Sequence, residues 1–163
     1  MSQGVSVSYR FIGTLHTPFK DEAEMPLQPT SRSSRPGVAV IDPAYVQGLK
    51  DLAGFSHLFL LYHFHRVSSI QLRVVPFLDQ VERGVFATRA PTRPNPIGLS
   101  VVRLERVEGN KLHLLDVDML DGTPLLDIKP FVPAFDAREN VRAGWLSKNG
   151  DDVATTQSDR RFQ

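Results

Sequence analysis

Apolar and polar positions alternate over short stretches along most of this chain, and turn residues break the pattern at short intervals. Val5–Leu15 alternates loosely in β-forming residues and predicts a strand that ends at Thr17-Pro18-Phe19-Lys20. From Asp21 to Gly37 the chain is polar, with Pro26, Pro29 and Pro36 among Ser31, Ser33 and Ser34, which predicts a long loop. Loops of that length in a compact domain are usually functional or disordered. Val38–Ile41 reads as a short strand. Asp42 before Pro43 predicts a capped helix to about Leu52, with Tyr45, Val46 and Leu49 on one face and Gly54 closing it. His57–His65 is bulky and nearly continuously apolar, as in a strand covered on both faces.

Leu72–Leu78 predicts a further strand with Pro76 at an edge or bulge, and Gly84–Thr88 another. Ile97–Val107 and Lys111–Leu120 form an expected hairpin across Glu108-Gly109-Asn110. Its second strand would carry Leu115, Val117 and Met119 on one face and Asp116 and Asp118 on the other. Asp121-Gly122 marks a tight turn, and Leu125–Phe131 returns as a strand. Asp136-Ala-Arg-Glu139 has capping-box spacing and predicts a short helix to about Leu146. Many short strands with Gly and Pro turns and one or two helices indicate a mainly β barrel over residues 1–146. The polar stretch 147–163 reads as a flexible tail.

The chain has 163 residues, enough for one domain with a substantial core. Nineteen Lys and Arg stand against eighteen Asp and Glu, so bulk charge does not announce a non-specific nucleic-acid binder, though a local basic patch fits. There is no cysteine, which excludes disulfides and thiolate zinc sites. The first residues lack the pattern of a signal peptide, and no apolar run is long enough for a transmembrane helix, so a cytoplasmic location is the expectation.

Candidate chemistry begins with Gly84–Gly98, where Pro91, Pro94 and Pro96 stand among Arg89, Arg93 and Asn95. Proline fixes φ and disfavours helical conformation in the residue before it, so this is a stiff loop with guanidinium and amide groups along its edge. It suits a polar or anionic ligand because less ordering entropy is lost on binding. It is equally a rigid crossover between strands. His57, His63 and His65 share strand parity, which leaves open a metal site, half-buried structural histidines, or His65 lining a pocket beside Arg66. Asp116, Asp118, Asp121 and Asp127 lie within twelve residues but match no EF-hand spacing. Asp127 and Lys129 share a face and suit an ion pair. Gly-x-Gly-x-x-Gly, Walker-type and Gly-x-Ser-x-Gly motifs are missing, which argues against dinucleotide, P-loop and hydrolase-elbow chemistry.

Three separated blocks, GFSHLFLLYHFH (54–65), GVFATRAPTRPNPIGLS (84–100) and LDGTPLLDIKPFVP (120–133), resemble the TsaA/TrmO-like proteins. Thr17-Pro-Phe-Lys20 and Pro26-Leu-Gln-Pro29 are similar to that family's N-terminal signature. The resemblance implies a single-sheet β-barrel that binds S-adenosylmethionine and methylates N6 of threonylcarbamoyl-adenosine beside the tRNA anticodon, acting as a homodimer without a metal. Carried over by motif, the cofactor would meet Pro29, Thr30, Ser31, His65, Arg66, Arg89, Leu99, Asp121, Gly122, Thr123 and Pro124. Asp127, Lys129 and Asn95 would serve the chemistry, with Asp127 the candidate base, and Arg93 and Arg73 would meet the RNA. The sequence departs from the family at Arg73–Gln80, which replaces a basic Gly-rich stretch, and at Phe131, where a Tyr is frequent. The family's tRNA enzymes also carry a C-terminal domain, whereas this chain ends soon after the expected barrel. A non-catalytic cofactor-binding module and a metal enzyme using the three histidines are the alternatives.

Overall fold

The computed structural model describes residues 4–21, 23, 34–77 and 79–148. Among the described residues, eight strands run in chain order: β1 Gly13–His16, β2 Gly37–Ile41, β3 His57–His63, β4 Arg73–Val74, β5 Arg83–Gly84, β6 Ile97–Glu108, β7 Lys111–Leu115 and β8 Thr123–Pro130. Six of them close an antiparallel barrel in the order β1-β2-β7-β6-β3-β8, and β4 and β5 form a separate two-stranded sheet. The expected single-sheet barrel is therefore observed. Closure leaves the sheet without an open edge.

Alternation decides what fills it. Leu58, Leu60 and Tyr62 of β3, Val102 and Leu104 of β6, and Leu112 and Leu114 of β7 all point inward and are buried. Phe19, Val117, Met119 and Leu120 come from connections and join this core. Val74, Val85 and Ala90 make a second small cluster, with Phe77 against it, beneath the proline-rich loop.

The register gathers the long connections at one end of the barrel. His63 pairs with Ile97, Tyr62 with Leu125, Leu15 with Thr123, His16 with Val38 and Gly37 with Leu114. The chain therefore leaves β1, β3 and β7, and enters β2, β6 and β8, at the same rim. The two-residue hairpin Gly109-Asn110 lies at the opposite end.

Several elements differ from the sequence reading. The first strand begins at Gly13, not Val5. Its ladder with β8 stops at the Gly13–Leu125 pair, where β8 bulges away, and Val5, Val7 and Tyr9 stay exposed. Leu72–Leu78 contributes only the two residues of β4, because Pro76 has no amide to pair. Gly84–Thr88 is one strand residue followed by a 3-10 turn, Val85–Ala87. The helix after Asp42 is a 3-10 helix, Pro43–Leu49, without a side-chain cap.

β7 ends at Leu115 because Asp116 adopts φ 66°, which breaks the pleat. Residues 116–120 are then all buried, so Asp116 and Asp118 do not take a solvent face. The Asp136 carboxylate accepts from the Val132 amide at 2.7 Å, at the start of the short helix α1, Pro133–Asp136, and does not open the expected helix; Leu146 lies instead in a separate 3-10 helix, Gly144–Lys148. Most of the expected tail, from residue 149 on, lies outside the described residues.

Candidate functional site

Three of the segments singled out in the sequence are stitched together at the rim. The Thr17 hydroxyl donates to the Met119 carbonyl at 2.8 Å, and the Thr17 amide donates to Asp121 Oδ1 at 3.1 Å. Lys20 pairs with the other Asp121 oxygen, and His16 lies 3.4 Å from the first. The Lys20 hydrogen bond, then the Thr17 amide and the nearby charges of Lys20 and His16, hold the Asp121 carboxyl below its usual range. Gly122 takes φ 77° and its amide donates to Leu15, a left-handed turn that a side chain would strain. Arg66 Nη1 donates to the Lys20 carbonyl at 3.3 Å, which brings the end of β3 to the same group.

His65 and Arg66 form an exposed turn directly after β3. Burial, then the neighbouring Arg66 and His63, lower the His65 pKa, so its ring is neutral at pH 7. The proline-rich loop reaches this turn through the Phe64 amide, which donates to Pro96 at 2.8 Å. Within the loop, Arg93 Nη1 donates to the carbonyls of Val85 (3.0 Å), Thr88 (2.8 Å) and Ala90 (3.4 Å), and its guanidinium lies 5.7 Å from the Phe86 ring centre. Arg93 thus clasps the loop shut. Arg89 is exposed, and its charge acts on Asp118 and Tyr62 inside the barrel.

A second group lies on the outer wall. Leu99 of β6, Leu61 of β3 and Asp127 of β8 occupy one row across three strands. At about 4.8 Å between strands, Leu99 and Asp127 stand roughly 10 Å apart. Asp127 faces outward only because of the bulge. Thr123 and Leu125 point in, and one extra residue, Leu126, separates the pairs Tyr62–Leu125 and Leu61–Asp127. Ile128 then packs toward the core. Asp127 and Lys129 form an ion pair at 2.8 Å with both side chains substantially exposed, and that pair raises the Lys129 pKa. As a surface pair it adds little stability.

Other expected residues lie elsewhere. Arg73 belongs to the small outlying sheet and pairs with Glu82 at 2.9 Å. Asn95 is exposed at the end of the loop, two residues before β6. Pro29, Thr30 and Ser31 lie outside the described residues. The three-histidine metal site does not form. His57 and His63 sit at opposite ends of β3, about 20 Å apart at 3.3 Å per residue. Their rings instead pack near Phe131 and Phe11, respectively. Among the described residues, no three His, Asp or Glu side chains are placed to hold a metal. The four aspartates also disperse: Asp116 accepts from the Ser34 amide, Asp118 from Ser100, Asp121 from Thr17 and Lys20, and Asp127 pairs with Lys129.

Sequence reasoning missed one buried chain of polar groups, Tyr62–Ser100–Asp118. The Ser100 hydroxyl donates to Asp118 Oδ1 at 2.5 Å and lies 2.9 Å from the Tyr62 oxygen. Its signal was present in the small inward residues Gly98 and Ser100, which leave space for a large partner on β3.

Residues 14–137 match the model of the tRNA-methyltransferase O N-terminal domain. The chain belongs to that family. A probable S-adenosyl-L-methionine-binding protein of Pyrococcus abyssi is 52% identical over 156 residues, covering 96% of this chain and 85% of its own length. The human tRNA (adenine(37)-N6)-methyltransferase is 43% identical over 96 residues, 57% of this chain and 22% of that protein. The crystal structure of TrmO from Pseudomonas aeruginosa matches with TM-score 0.73 and 40% identity, over 86% of this chain and 63% of the other. The chain thus spans less than two thirds of that TrmO and a smaller part of the human enzyme. All the strands but the first residue of β1 fall within the matched TrmO domain, as do the rim and the outer row.

Proposed function

We propose that this chain is an S-adenosylmethionine-dependent methyltransferase that modifies N6 of an adenosine in tRNA, and that the acceptor is threonylcarbamoyl-adenosine beside the anticodon. The observation that carries the reading is the rim itself. One barrel end brings Arg66, the Asp121-Gly122 turn and the arginine-bearing proline loop together through direct bonds or paired strands. These residues fit the cofactor: a guanidinium suits its carboxylate, turn amides and Asp121 suit its polar groups, and Leu99 offers an apolar wall. Arg89 would take the carboxylate. His65, Arg66, Leu99 and Asp121 to Pro124 would wall the site, together with Pro29, Thr30 and Ser31.

When bound, the cofactor would supply an electrophilic methyl group on a sulfonium whose sulfur is the leaving group when the acceptor nitrogen takes the methyl carbon. The chain's own part is mainly alignment. Asp127, facing out in the row with Leu99, would draw off the N6 proton, while Lys129 holds that carboxylate in place. Asn95 would orient the acceptor, and Arg93 and Arg73 would meet RNA phosphates. Action as a homodimer in the cytoplasm completes the reading.

The test is incubation with the cofactor and tRNA lacking this methyl group, then mass spectrometry of the nucleosides. Methylated threonylcarbamoyl-adenosine should appear, and Asp127→Asn should slow its formation by about 100-fold or more with cofactor affinity unchanged. An unaltered nucleoside pool would contradict the activity. Full activity of Asp127→Asn would remove Asp127 from the base role.

A further inference from the structure

The 3-10 turn Val85–Ala87, which opens the proline-rich loop, points its residues two ways. Val85 is buried with Val74 and Ala90, whereas Phe86 stands out with 74% of its surface exposed. A solvated phenyl ring contributes little to folding, so the core does not account for it. The ring is mounted on a rigid base. The Val85 carbonyl accepts from the Thr88 amide at 3.1 Å, the Thr88 hydroxyl at 2.8 Å and Arg93 Nη1 at 3.0 Å, and the Val85 amide donates to Leu72 at 2.9 Å. Trp145, which lies beyond the residues matched to the TrmO domain, reaches back to donate its indole Nε1 proton to the Ala87 carbonyl at 2.8 Å. Arg83 lies 5.8 Å from the Trp145 ring centre and is itself held by Asp79 at 2.7 Å. The Arg93 guanidinium, 5.7 Å from the centre of the Phe86 ring, backs that ring with a positive charge.

We propose that Phe86, held by Arg93 and the Trp145 brace, is a stacking platform for an unpaired base of an RNA substrate. This rests on the proposed tRNA activity for the identity of the polymer: a base neighbouring the acceptor in the anticodon loop would lie on the ring. Every base offers a π face to an aromatic side chain, and the guanidinium beside the ring favours an anionic polymer. RNA loops present such unstacked bases, and proteins recognise them by stacking on aromatic rings and guanidinium planes. A mount already fixed by five hydrogen bonds to Val85 and Ala87 lowers the ordering entropy lost on binding.

The experiment measures binding of an end-labelled anticodon stem-loop RNA by fluorescence anisotropy across a range of salt concentrations, for the wild type, Phe86→Ala, Phe86→Leu and Phe86→Tyr. A fully paired RNA of the same length is the control. Phe86→Ala and Phe86→Leu should bind the stem-loop about tenfold more weakly, and Phe86→Tyr within about twofold of the wild type. The slope of affinity against salt should be the same in all four, because stacking releases no counterions. Binding of the duplex should not depend on Phe86. Equal affinity of the wild type and Phe86→Ala, full affinity of Phe86→Leu, or an equal loss on the duplex overturns the proposal, as does a wild type that binds no stem-loop. A dimer that Phe86→Ala dissociates in sedimentation, with RNA binding unchanged, assigns the ring to a second copy and also overturns it. Should Phe86→Ala misfold, the comparison of Phe86→Leu with Phe86→Tyr decides alone. Methyl transfer is read separately, from the nucleosides: Phe86-dependent binding without product fails the activity and not the platform, and product with Phe86-independent binding fails the platform and not the activity.

Discussion

At position 98 the chain has no room for a side chain. A Cβ on Gly98 would stand 2.2 Å from the Tyr62 ring, which lies across this first inward position of β6. Gly98→Ala should therefore force the ring aside and cost about 1–3 kcal/mol in urea unfolding, and an unchanged midpoint would contradict that packing. Asp118 has a stability signature of its own. Its folded pKa is raised above the unfolded value, so the folded state holds the extra proton and stability falls as pH climbs from about 4 through about 7. His65, with a lowered pKa, acts in the opposite direction until about one pH unit above its ordinary value of 6.5, and it does so equally in both proteins. Between pH 6.5 and about 8 the wild type should therefore lose stability relative to Asp118→Asn. Parallel profiles would mean that Asp118 is not buried as described. The parity of Tyr62 was legible in the sequence. The burial of Asp118 was not, because alternation placed it on the face opposite Val117 and Met119, and the left-handed turn at Asp116 leaves no periodic mark.

Among the elements, β8 shows what one inserted residue does. Its bulge at Leu126 reverses the strand's parity, sends Ile128 inward and turns Asp127 to the outer wall beside Leu61. Deleting Leu126, the extra residue, should remove the bulge while leaving Leu125 and Ile128 inward and Asp127 outward, so unfolding should lose well under the ~3–5 kcal/mol that an unpaired buried charge costs. A loss of that full size would show that Asp127 is driven inward and that Leu126 is not the inserted residue. The sequence showed β3, β6 and the Gly109-Asn110 hairpin clearly, since their inward positions are continuous. It overran wherever local chemistry ends a ladder: the β8 bulge stops β1 at Gly13, Pro76 shortens β4, and Asp136 turns back to Val132. Such endings depend on residues distant in the chain, which pattern alone does not reveal.

For the whole molecule, antiparallel closure divides labour between the barrel's ends. One end is capped by a tight hairpin and 3-10 turns, while the rim carries the long connections that hold Arg66, Arg89 and Asp121. With a formal charge of only +1, recognition of an anionic partner falls to these local cations rather than to the overall field. Sequence blocks named the segments of the rim because short motifs survive in order along the chain. Their mutual placement, and the Lys20 link between Arg66 and Asp121, required the strand register. The most direct measurement is the affinity of S-adenosylmethionine for the wild type and for Arg89→Ala by calorimetry at about pH 8. The account predicts saturable binding to the wild type, weakened by about 1.5–3 kcal/mol in the variant, the range for a charged hydrogen bond. No binding to the wild type, or equal affinity in the two proteins, would contradict it.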